Sequence, residues 1–267
     1  MQRRILIIDD HNDLATALDE VLSHVGHDVT VIEKRVEALA MENLDRFDMV
    51  ITDLDVDGVS PNLNGNAKSY LPHVTSASSN EHVKAFKLYA ANFRRDEFDE
   101  DELRDIVATV LDYKIRFVDK EDAVAEMHEN IEFELPSALS LMHIVLEYLM
   151  KRVEKLGVIK AEQSNLFVAL DEAFVNAVKH GNKYDARKLI RITAEVSKQE
   201  AKFTIEDEGE GFDVQNIPDP LDPENLFKTS GRGVLFIYNI MDEVNYNDRG
   251  NRLTMVKKSE KSVETTD

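Results

Sequence analysis

Short apolar runs alternate with helix-like stretches along the first fifth of the chain, and this alternation constrains the fold more than any other feature. Three runs have the length and residue types of strands, at residues 5–8, 29–32 and 49–51. The stretches between them, at 14–25 and 36–44, repeat apolar residues at helical spacing, and Gly26 is placed to end the first helix. A βαβαβ order predicts a doubly wound parallel sheet with helices on its faces.

The alternation predicts an α/β domain at residues 1–115, with further helices at 82–92 and 99–112. Residues 116–130 have no strong period and join two regions of different character. They are therefore predicted to be a linker.

The second half has a different pattern, which predicts an α+β class and an α/β sandwich at residues 131–258. Its predicted strands are 131–135, 189–196, 201–206, 243–246 and 252–257. Its predicted helices are 137–156, 162–180 and one that begins at Val234. The polar residues 259–267 are predicted to be a disordered tail.

Composition excludes several classes of protein. The chain has no cysteine, which excludes thiolate metal sites and disulfides and fits a reducing cytoplasm. Its formal charge of −20 disfavours direct nucleic-acid binding through a broad basic patch. No stretch has the ~20 apolar residues of a membrane span, so we expect no membrane association.

The predicted helix at 162–180 carries Glu172, Asn176 and His180 at intervals of four, so the three side chains share one face. A carboxamide oxygen is a hard, neutral ligand that suits Mg²⁺, and a carboxylate one turn away can accept a proton. Taken alone, such a face is more often a polar solvent-facing surface.

Two glycine-rich segments strengthen the case for a nucleotide site. Asp207, Gly209 and Gly211 follow a predicted strand, where glycines allow close backbone approach and a carboxylate can accept from an amino-purine. Gly231, Arg232 and Gly233 open a predicted helix, whose free N–H groups can hold phosphate oxygens. Each segment alone would be weak; their order along the chain is informative.

The segments FELPS, DEAFVNAVKHGN, IEDEGEGFD, PDPLDPENL and SGRGVLFIYNIMDEV resemble the anti-sigma-factor serine kinases, a branch of the Bergerat-fold, histidine-kinase-like ATPases. This resemblance covers residues 131–258 and implies ATP and Mg²⁺ as cofactors. It implies that Asn176 coordinates Mg²⁺, Glu172 is the catalytic base and Asp207 binds the adenine amino group. It also implies that the nucleotide loops are formed by Gly209, Gly211, Gly231, Arg232 and Gly233, with Thr254 supporting the adenine.

A sensor histidine kinase is the natural rival, because His128 and Glu129 imitate the start of a phosphoacceptor box. Such a box needs a long two-helix hairpin, and Pro136 with the strand at 131–135 leaves no room for one. The short proline-containing stretch 213–229, the lid by resemblance, also favours the serine kinase branch.

Three acidic residues end the strands predicted in the first half. Asp9 and Asp10 follow the first strand and Asp53 follows the third, so a parallel sheet would bring them to one edge. Clustered carboxylates repel one another and Mg²⁺ relieves that repulsion.

The segments ILIIDD, MVITDLD and PNLNG resemble two-component response-regulator receivers over residues 1–115. The resemblance places Asp53 at the phosphoacceptor position, Asp9 and Asp10 with it at the Mg²⁺ site, and Thr75 or Ser76 near the switch hydroxyl. Two departures are a short interval between Gly65 and Thr75 and an acid, Asp96, where aligning AANFRRDEF with the last receiver strand expects lysine. The domain could therefore be a receiver or a pseudo-receiver that only docks partners.

The leading hypothesis is a protein serine/threonine kinase that phosphorylates an anti-sigma-factor antagonist of the STAS class under receiver control, with a sigma factor and an upstream histidine kinase as further candidate partners. By resemblance, we expect a homodimer. The alternatives are a nucleotide-gated anti-sigma binding module without significant turnover and an atypical histidine-kinase-like ATPase.

Overall fold

The chain forms two compact units, Met1–Pro136 and Ser137–Asp267. The computed structural model describes residues 1–11, 13–41, 44–57, 71–72, 82–95, 98–119, 127–160, 165–214 and 232–259. Within the described residues, no helix combines the length and the apolar character that a membrane crossing requires.

The first unit contains five strands and three α-helices among its described residues. They are β1 (Arg4–Asp9), α1 (Asp13–Val25), β2 (Asp28–Ile32), α2 (Arg35–Ala40), β3 (Met49–Asp57), β4 (His82–Tyr89), α3 (Glu100–Tyr113) and β5 (Met127–Pro136). The first five of these elements match the predicted βαβαβ order. Gly26 has the left-handed backbone (φ 103°) that is typical of a residue ending a helix.

The sheet of this unit runs β2-β1-β3-β4-β5. Strands β2, β1 and β3 are parallel, as predicted, and Asp9 pairs in register with Asp53. The prediction of an all-parallel sheet is wrong beyond β3, because β4 pairs antiparallel with β3 and β5 then runs parallel to β4. The unit is a mixed α/β structure.

The helix predicted at 82–92 is also wrong, because His82–Tyr89 is a strand. Its apolar residues are buried on both faces of the sheet, so the pattern lacks the strict alternation of a half-exposed strand. A 3₁₀ turn at Ala91–Arg95 follows, in the place where the last receiver strand was predicted. The helix predicted at 99–112 is confirmed, and the Asp99 side chain caps it by accepting from two backbone N–H groups.

The predicted linker at 116–130 contains regular structure at both ends. A π-helical turn, Lys114–Val118, continues α3, and β5 begins at Met127. Because β5 pairs with β4 along its length, the described unit ends at Pro136 and includes the predicted strand 131–135.

The described residues of the second unit form an antiparallel sheet and three α-helices. Its elements are α4 (Met142–Lys155), α5 (Leu166–Asn176), β6 (Leu189–Val196), β7 (Glu200–Asp207), α6 (Arg232–Ile240), β8 (Glu243–Tyr246) and β9 (Arg252–Lys258). The strand order is β6-β7-β9-β8, and each neighbouring pair is antiparallel. The predicted hairpin and the two last strands are confirmed.

Buried side chains from both layers hold this unit together. Tyr148 of α4, Phe174 of α5 and Phe203 of β7 are each almost fully buried, and burial of large apolar side chains is the main stabilising term in folding. A π-helical turn, Ala177–Gly181, continues α5. At the other end of the unit, Ser259 is buried and its N–H donates to the carbonyl of Gln199, so the predicted disordered tail does not begin there.

Candidate functional site

A cavity of about 270 Å³ opens in the second unit between the C-terminal end of α5 and the sheet. Its walls include Asn176 and His180 from the helix side and Asp207 from the end of β7. Apolar contacts come from Ala173, Ile205, Phe212, Val234 and Leu253. Mostly apolar walls with a few polar groups are typical of small-molecule sites, although the volume is just below their usual lower limit of about 300 Å³.

Asp207 is the buried carboxylate of this cavity. Its Oδ1 accepts a hydrogen bond of 2.7 Å from the N–H of Gly209. Burial raises the pKa of Asp207, and the Gly209 N–H and the charges of Lys188 and Arg249 oppose that rise. The carboxylate is therefore held in one orientation and has capacity left to accept from a ligand donor.

Glycine is required where the chain segments around Asp207 come closest. A Cβ at Gly181 would overlap the carboxyl group of Asp207, and a Cβ at Gly209 would overlap the carbonyl of Gly181. Gly211 has a left-handed backbone (φ 77°) and lies against the carbonyl of Arg249. Gly181 and the predicted Gly209 thus allow two backbone segments to approach the Asp207 carboxylate, and the predicted Gly211 allows close contact with the Arg249 carbonyl.

The predicted helix face is present, but its three side chains have different surroundings. Asn176 and His180 line the cavity. Glu172 lies one turn earlier, and its carboxylate is packed against Gly233 near the start of α6, where any Cβ would collide with it. The N-terminal end of α6 therefore approaches the predicted base through a glycine.

Glu172, Gly209 and Gly233 adjoin the site without lining the cavity, and three further predicted site residues cannot be placed at it. Gly231 lies outside the described residues, and for Arg232 only the backbone is described. Thr254 pairs with Thr204 across β7 and β9, and their hydroxyls are 3.3 Å apart. The adjacent pair, Ile205 and Leu253, lines the cavity, and because successive strand residues alternate faces, Thr254 belongs to the opposite face of the sheet.

Sequence reasoning missed the contribution of the turn between β8 and β9. Gly250, Asn251 and Arg252 line the cavity, as does Tyr246 at the end of β8. The Asn251 side chain donates to the carbonyl of Asp207 at 2.8 Å, and Arg249 donates to the carbonyl of Gly209 at 2.7 Å. The available signal was the segment NDRGN, which has the composition of a turn between two predicted strands.

In the first unit, the Asp9 carboxylate accepts hydrogen bonds from three backbone N–H groups. Its Oδ2 accepts from the N–H groups of Leu14 and Ala15 at 2.9 and 2.8 Å, and its Oδ1 accepts from His11 at 3.0 Å. The carboxylate thus stabilises the start of α1. Among the described residues, Asp9, Asp10 and His11 form a group whose candidate metal-ligating atoms lie within 4.8 Å of one another.

His11 lies between two carboxylates. Its Nδ1 is 2.8 Å from Asp10, and its Nε2 is 3.4 Å from Asp55. Burial lowers the pKa of His11, but the two acids outweigh this and raise the pKa overall.

Asp53 has a cationic partner that the sequence did not indicate. The ammonium of Lys114, in the π-helical turn after α3, lies 2.6 Å from Asp53 and 3.2 Å from Asp119. Burial raises the pKa of Asp53 to about 6 even though the Lys114 charge lowers it. Asp53 is therefore one member of a buried Asp–Lys–Asp cluster, and it is not in the group of candidate metal ligands formed by Asp9, Asp10 and His11.

The other receiver expectations fall on residues outside the described ones. These are Thr75, Ser76, Asp96 and the segment PNLNG at 61–65.

Comparison with known proteins places the similarity in the second unit. Residues 135–257 match the family model of the histidine kinase-like ATPase domain. A serine-protein kinase RsbW from Staphylococcus epidermidis is 28% identical over 135 residues, which cover 48% of this chain and 85% of the relative. A serine-protein kinase RsbW from Staphylococcus aureus strain JH9 is 27% identical over the same coverage. The matched residues contain the whole cavity.

Proposed function

We propose that the second unit binds ATP with a divalent cation and acts as a protein serine/threonine kinase. The observation that carries the proposal is the cavity that joins Asn176 to Asp207, with glycines where a Cβ would collide with Asp207 and its neighbours. The match to the histidine kinase-like ATPase domain and the similarity to serine-protein kinases called RsbW support the same conclusion.

The residues of the cavity fit a magnesium nucleotide. Asp207 can accept from the amino group of adenine, while the apolar walls exclude water from the base. The Asn176 amide oxygen is a suitable Mg²⁺ ligand. When bound, the cation would neutralise charge on the phosphates.

Phosphoryl transfer to a hydroxyl needs a base and a positive environment. We assign the base role to Glu172, one helical turn from Asn176. We assign Gly231, Arg232 and Gly233 to the phosphates, because the N–H groups at the start of α6 have no partners within that helix.

We further propose that the acceptor is an anti-sigma-factor antagonist of the STAS class, that a sigma factor is a second partner and that the active form is a homodimer. These assignments rest on the similarity to the RsbW kinases.

The test measures binding and transfer separately. ATP affinity is measured by calorimetry with Mg²⁺, and phosphate transfer is measured on a panel of purified STAS proteins. Asn176→Ala should abolish Mg²⁺-dependent ATP binding and leave the fold intact, since Ala is well tolerated in a helix. Glu172→Ala should retain ATP and partner binding but lose transfer.

Two results would contradict the proposal. Unchanged ATP affinity in Asn176→Ala would remove the cation assignment. Absence of transfer from the wild-type protein across the whole panel, with partner binding intact, would instead support a nucleotide-gated binding module.

We propose that the first unit, a receiver-like domain followed by the segment at 116–130, regulates the kinase. Asp9 and Asp53 pair in register at the carboxyl end of β1, and the carboxyl ends of strands are where open α/β sheets bind ligands. Asp9 and Asp10, together with His11, are the candidate ligands for a divalent cation, and Asp53 is the candidate modification site. A Mg²⁺ titration of the wild type and Asp10→Asn by thermal unfolding tests the cation site, and no difference between them would exclude it.

A further inference from the structure

The turn between β8 and β9 holds the loop that follows β7 at both ends. Arg249 donates through Nη2 to the carbonyl of Gly209 at 2.7 Å. In the opposite direction, the N–H of Phe212 donates to the carbonyl of Arg249 at 3.1 Å. One arginine thus fixes both the beginning and the end of the segment from Gly209 to Phe212.

Gly209 links the Arg249 hydrogen bond to the Asp207 carboxylate in the cavity. Its carbonyl is bound by Arg249, and its N–H donates to Oδ1 of Asp207 at 2.7 Å. The N–H and the carbonyl belong to two successive peptide groups, so these two bonds hold both of the peptide groups that meet at Gly209. Arg249 is linked to the buried carboxylate through a single residue.

Close packing leaves the two segments little freedom to separate. Gly250 has a left-handed backbone (φ 77°), and a Cβ there would lie 2.8 Å from the backbone nitrogen of Phe212. The rings of Phe212 and Tyr246 meet edge to face with centroids 5.1 Å apart. Both rings belong to the cavity wall.

The turn is itself rigid enough to act as a support. Oδ1 of Asn247 accepts from the N–H groups of Asn251 and Arg252, both at 3.1 Å. Asn251 then bonds Asp207 twice, because its side chain donates to the Asp207 carbonyl at 2.8 Å and its own carbonyl accepts from the Asp207 N–H at 3.0 Å. Asp207 is therefore braced from the turn through its backbone and, by way of Gly209, through its side chain.

We propose that Arg249 is a positioning residue that sets selectivity for adenine by fixing Gly209, whose N–H orients Asp207. The proposal rests on the proposed function, because it takes Asp207 as the group that recognises the amino group of the base. Arg249 does not need to touch the nucleotide. Its charge also opposes the rise in the pKa of Asp207 that burial causes, which favours the ionised acceptor.

The experiment compares two nucleotides in the full-length chain with Mg²⁺. One is ATP, and the other is purine riboside 5′-triphosphate, which lacks the 6-amino group. Arg249→Ala should weaken ATP binding about ten-fold, the size expected for the loss of one well-placed hydrogen bond to a buried charge. Binding of the analogue should be unchanged, so the preference for ATP should disappear.

Arg187→Ala is the matched control. Arg187 is an exposed arginine of the same unit whose side chain pairs with Asp185, and its loss should leave both affinities unchanged. Arg249→Gln retains part of the side chain and a donor, and it should recover part of the preference. If Arg249→Ala lowers the melting temperature, the nucleotide preference of Arg249→Gln tests the positioning role instead.

The outcomes separate the positioning role from the proposed function. A wild-type chain that binds no ATP overturns the proposed function, and the positioning role with it. A wild-type chain that prefers ATP, with Arg249 variants that keep the same preference, overturns only the positioning role. An equal loss for both nucleotides in Arg249→Ala and Arg249→Gln also overturns it, because Arg249 then only supports the fold.

Discussion

Gly181 tests the most specific steric relation in the cavity. It lies in the π-helical turn after α5, where Ala has the higher helix propensity by about 1 kcal/mol. A Cβ at this position would overlap the carboxyl group of Asp207, so glycine is required there. We predict that Gly181→Ala leaves thermal stability nearly unchanged, because these effects oppose each other, while ATP affinity measured by calorimetry falls about ten-fold as Asp207 is displaced.

Gly157 provides the opposite control. It has a left-handed backbone (φ 78°) and open space around it, so Gly157→Ala should lower stability by about 1 kcal/mol and leave ATP affinity unchanged. Equal ATP affinity in wild type and Gly181→Ala would show that Asp207 does not contact the nucleotide.

His27 gives the first unit a defined pH response. The backbone N–H of Arg3 donates to Nδ1 of His27 at 3.3 Å, which requires a neutral ring nitrogen. Burial lowers the pKa of His27 below its usual value of 6.5, and the charges of the N-terminus and Arg3 add to the effect against the pull of Glu102. The folded state therefore binds fewer protons than the unfolded state as the pH falls through 6.5, and stability is lost in that direction.

We predict that His27→Asn reduces this loss, because Asn can accept the same hydrogen bond but does not titrate. The measurement is urea unfolding of both proteins at pH 7.5 and 5.5. The same decrease in unfolding free energy for both would assign the pH response to other groups.

At the scale of elements, the π-helical turn Lys114–Val118 depends on one buried cation. Lys114 is almost completely buried and pairs with both Asp53 and Asp119. Removing one partner from a buried ion pair leaves uncompensated charge, which costs about 3–5 kcal/mol. We predict a loss of this size for Lys114→Met in the unfolding of the first unit.

Arg116→Met in the same turn is the control. Arg116 is exposed and pairs with Asp112 one turn earlier, a geometry that contributes only about 0.3–0.5 kcal/mol. Urea unfolding followed by circular dichroism distinguishes the two variants. Similar small losses in both would mean that Lys114 does not neutralise Asp53 in solution.

The elements show which parts of the fold are readable from sequence. Strands β6 and β7 alternate buried and more exposed residues, and both strands were correctly predicted. Strand β4 has no such alternation, because Val83, Ala85, Phe86, Leu88 and Tyr89 are all buried. A short strand buried on both faces cannot be distinguished from a buried helix by its period.

The candidate sites likewise contain residues that lie in local sequence motifs and partners that are distant along the chain. Asn176 and Asp207 lie in local motifs that were predicted to belong to one site, and both line the cavity. Lys114 and Asp53 are separated by 61 residues, and Arg249 and Gly209 by 40, with no local pattern linking either pair. Such partners are set by sheet order and turn geometry, which a single sequence does not display.

At the scale of the whole molecule, the proposed regulation by the first unit depends on whether a phosphodonor can reach the Asp53 carboxylate. Only 9% of Asp53 is exposed, and its carboxylate is 2.6 Å from the Lys114 ammonium. Phosphorylation by a small donor requires a free carboxylate oxygen and a nearby divalent cation, but burial raises the pKa of Asp53 to about 6 and Lys114 occupies one side of the group. The described arrangement favours the paired carboxylate over the reactive one.

We predict that acetyl phosphate with Mg²⁺ labels Asp53 only slowly, as measured by intact-mass and peptide mass spectrometry. Asp53→Asn is the control for site assignment, because it should carry no label. Because Lys114 retains Asp119 as a partner in this variant, the turn should stay folded. Rapid stoichiometric labelling of Asp53 would show instead that the buried cluster opens readily and that the first unit works as an ordinary phosphorylated receiver.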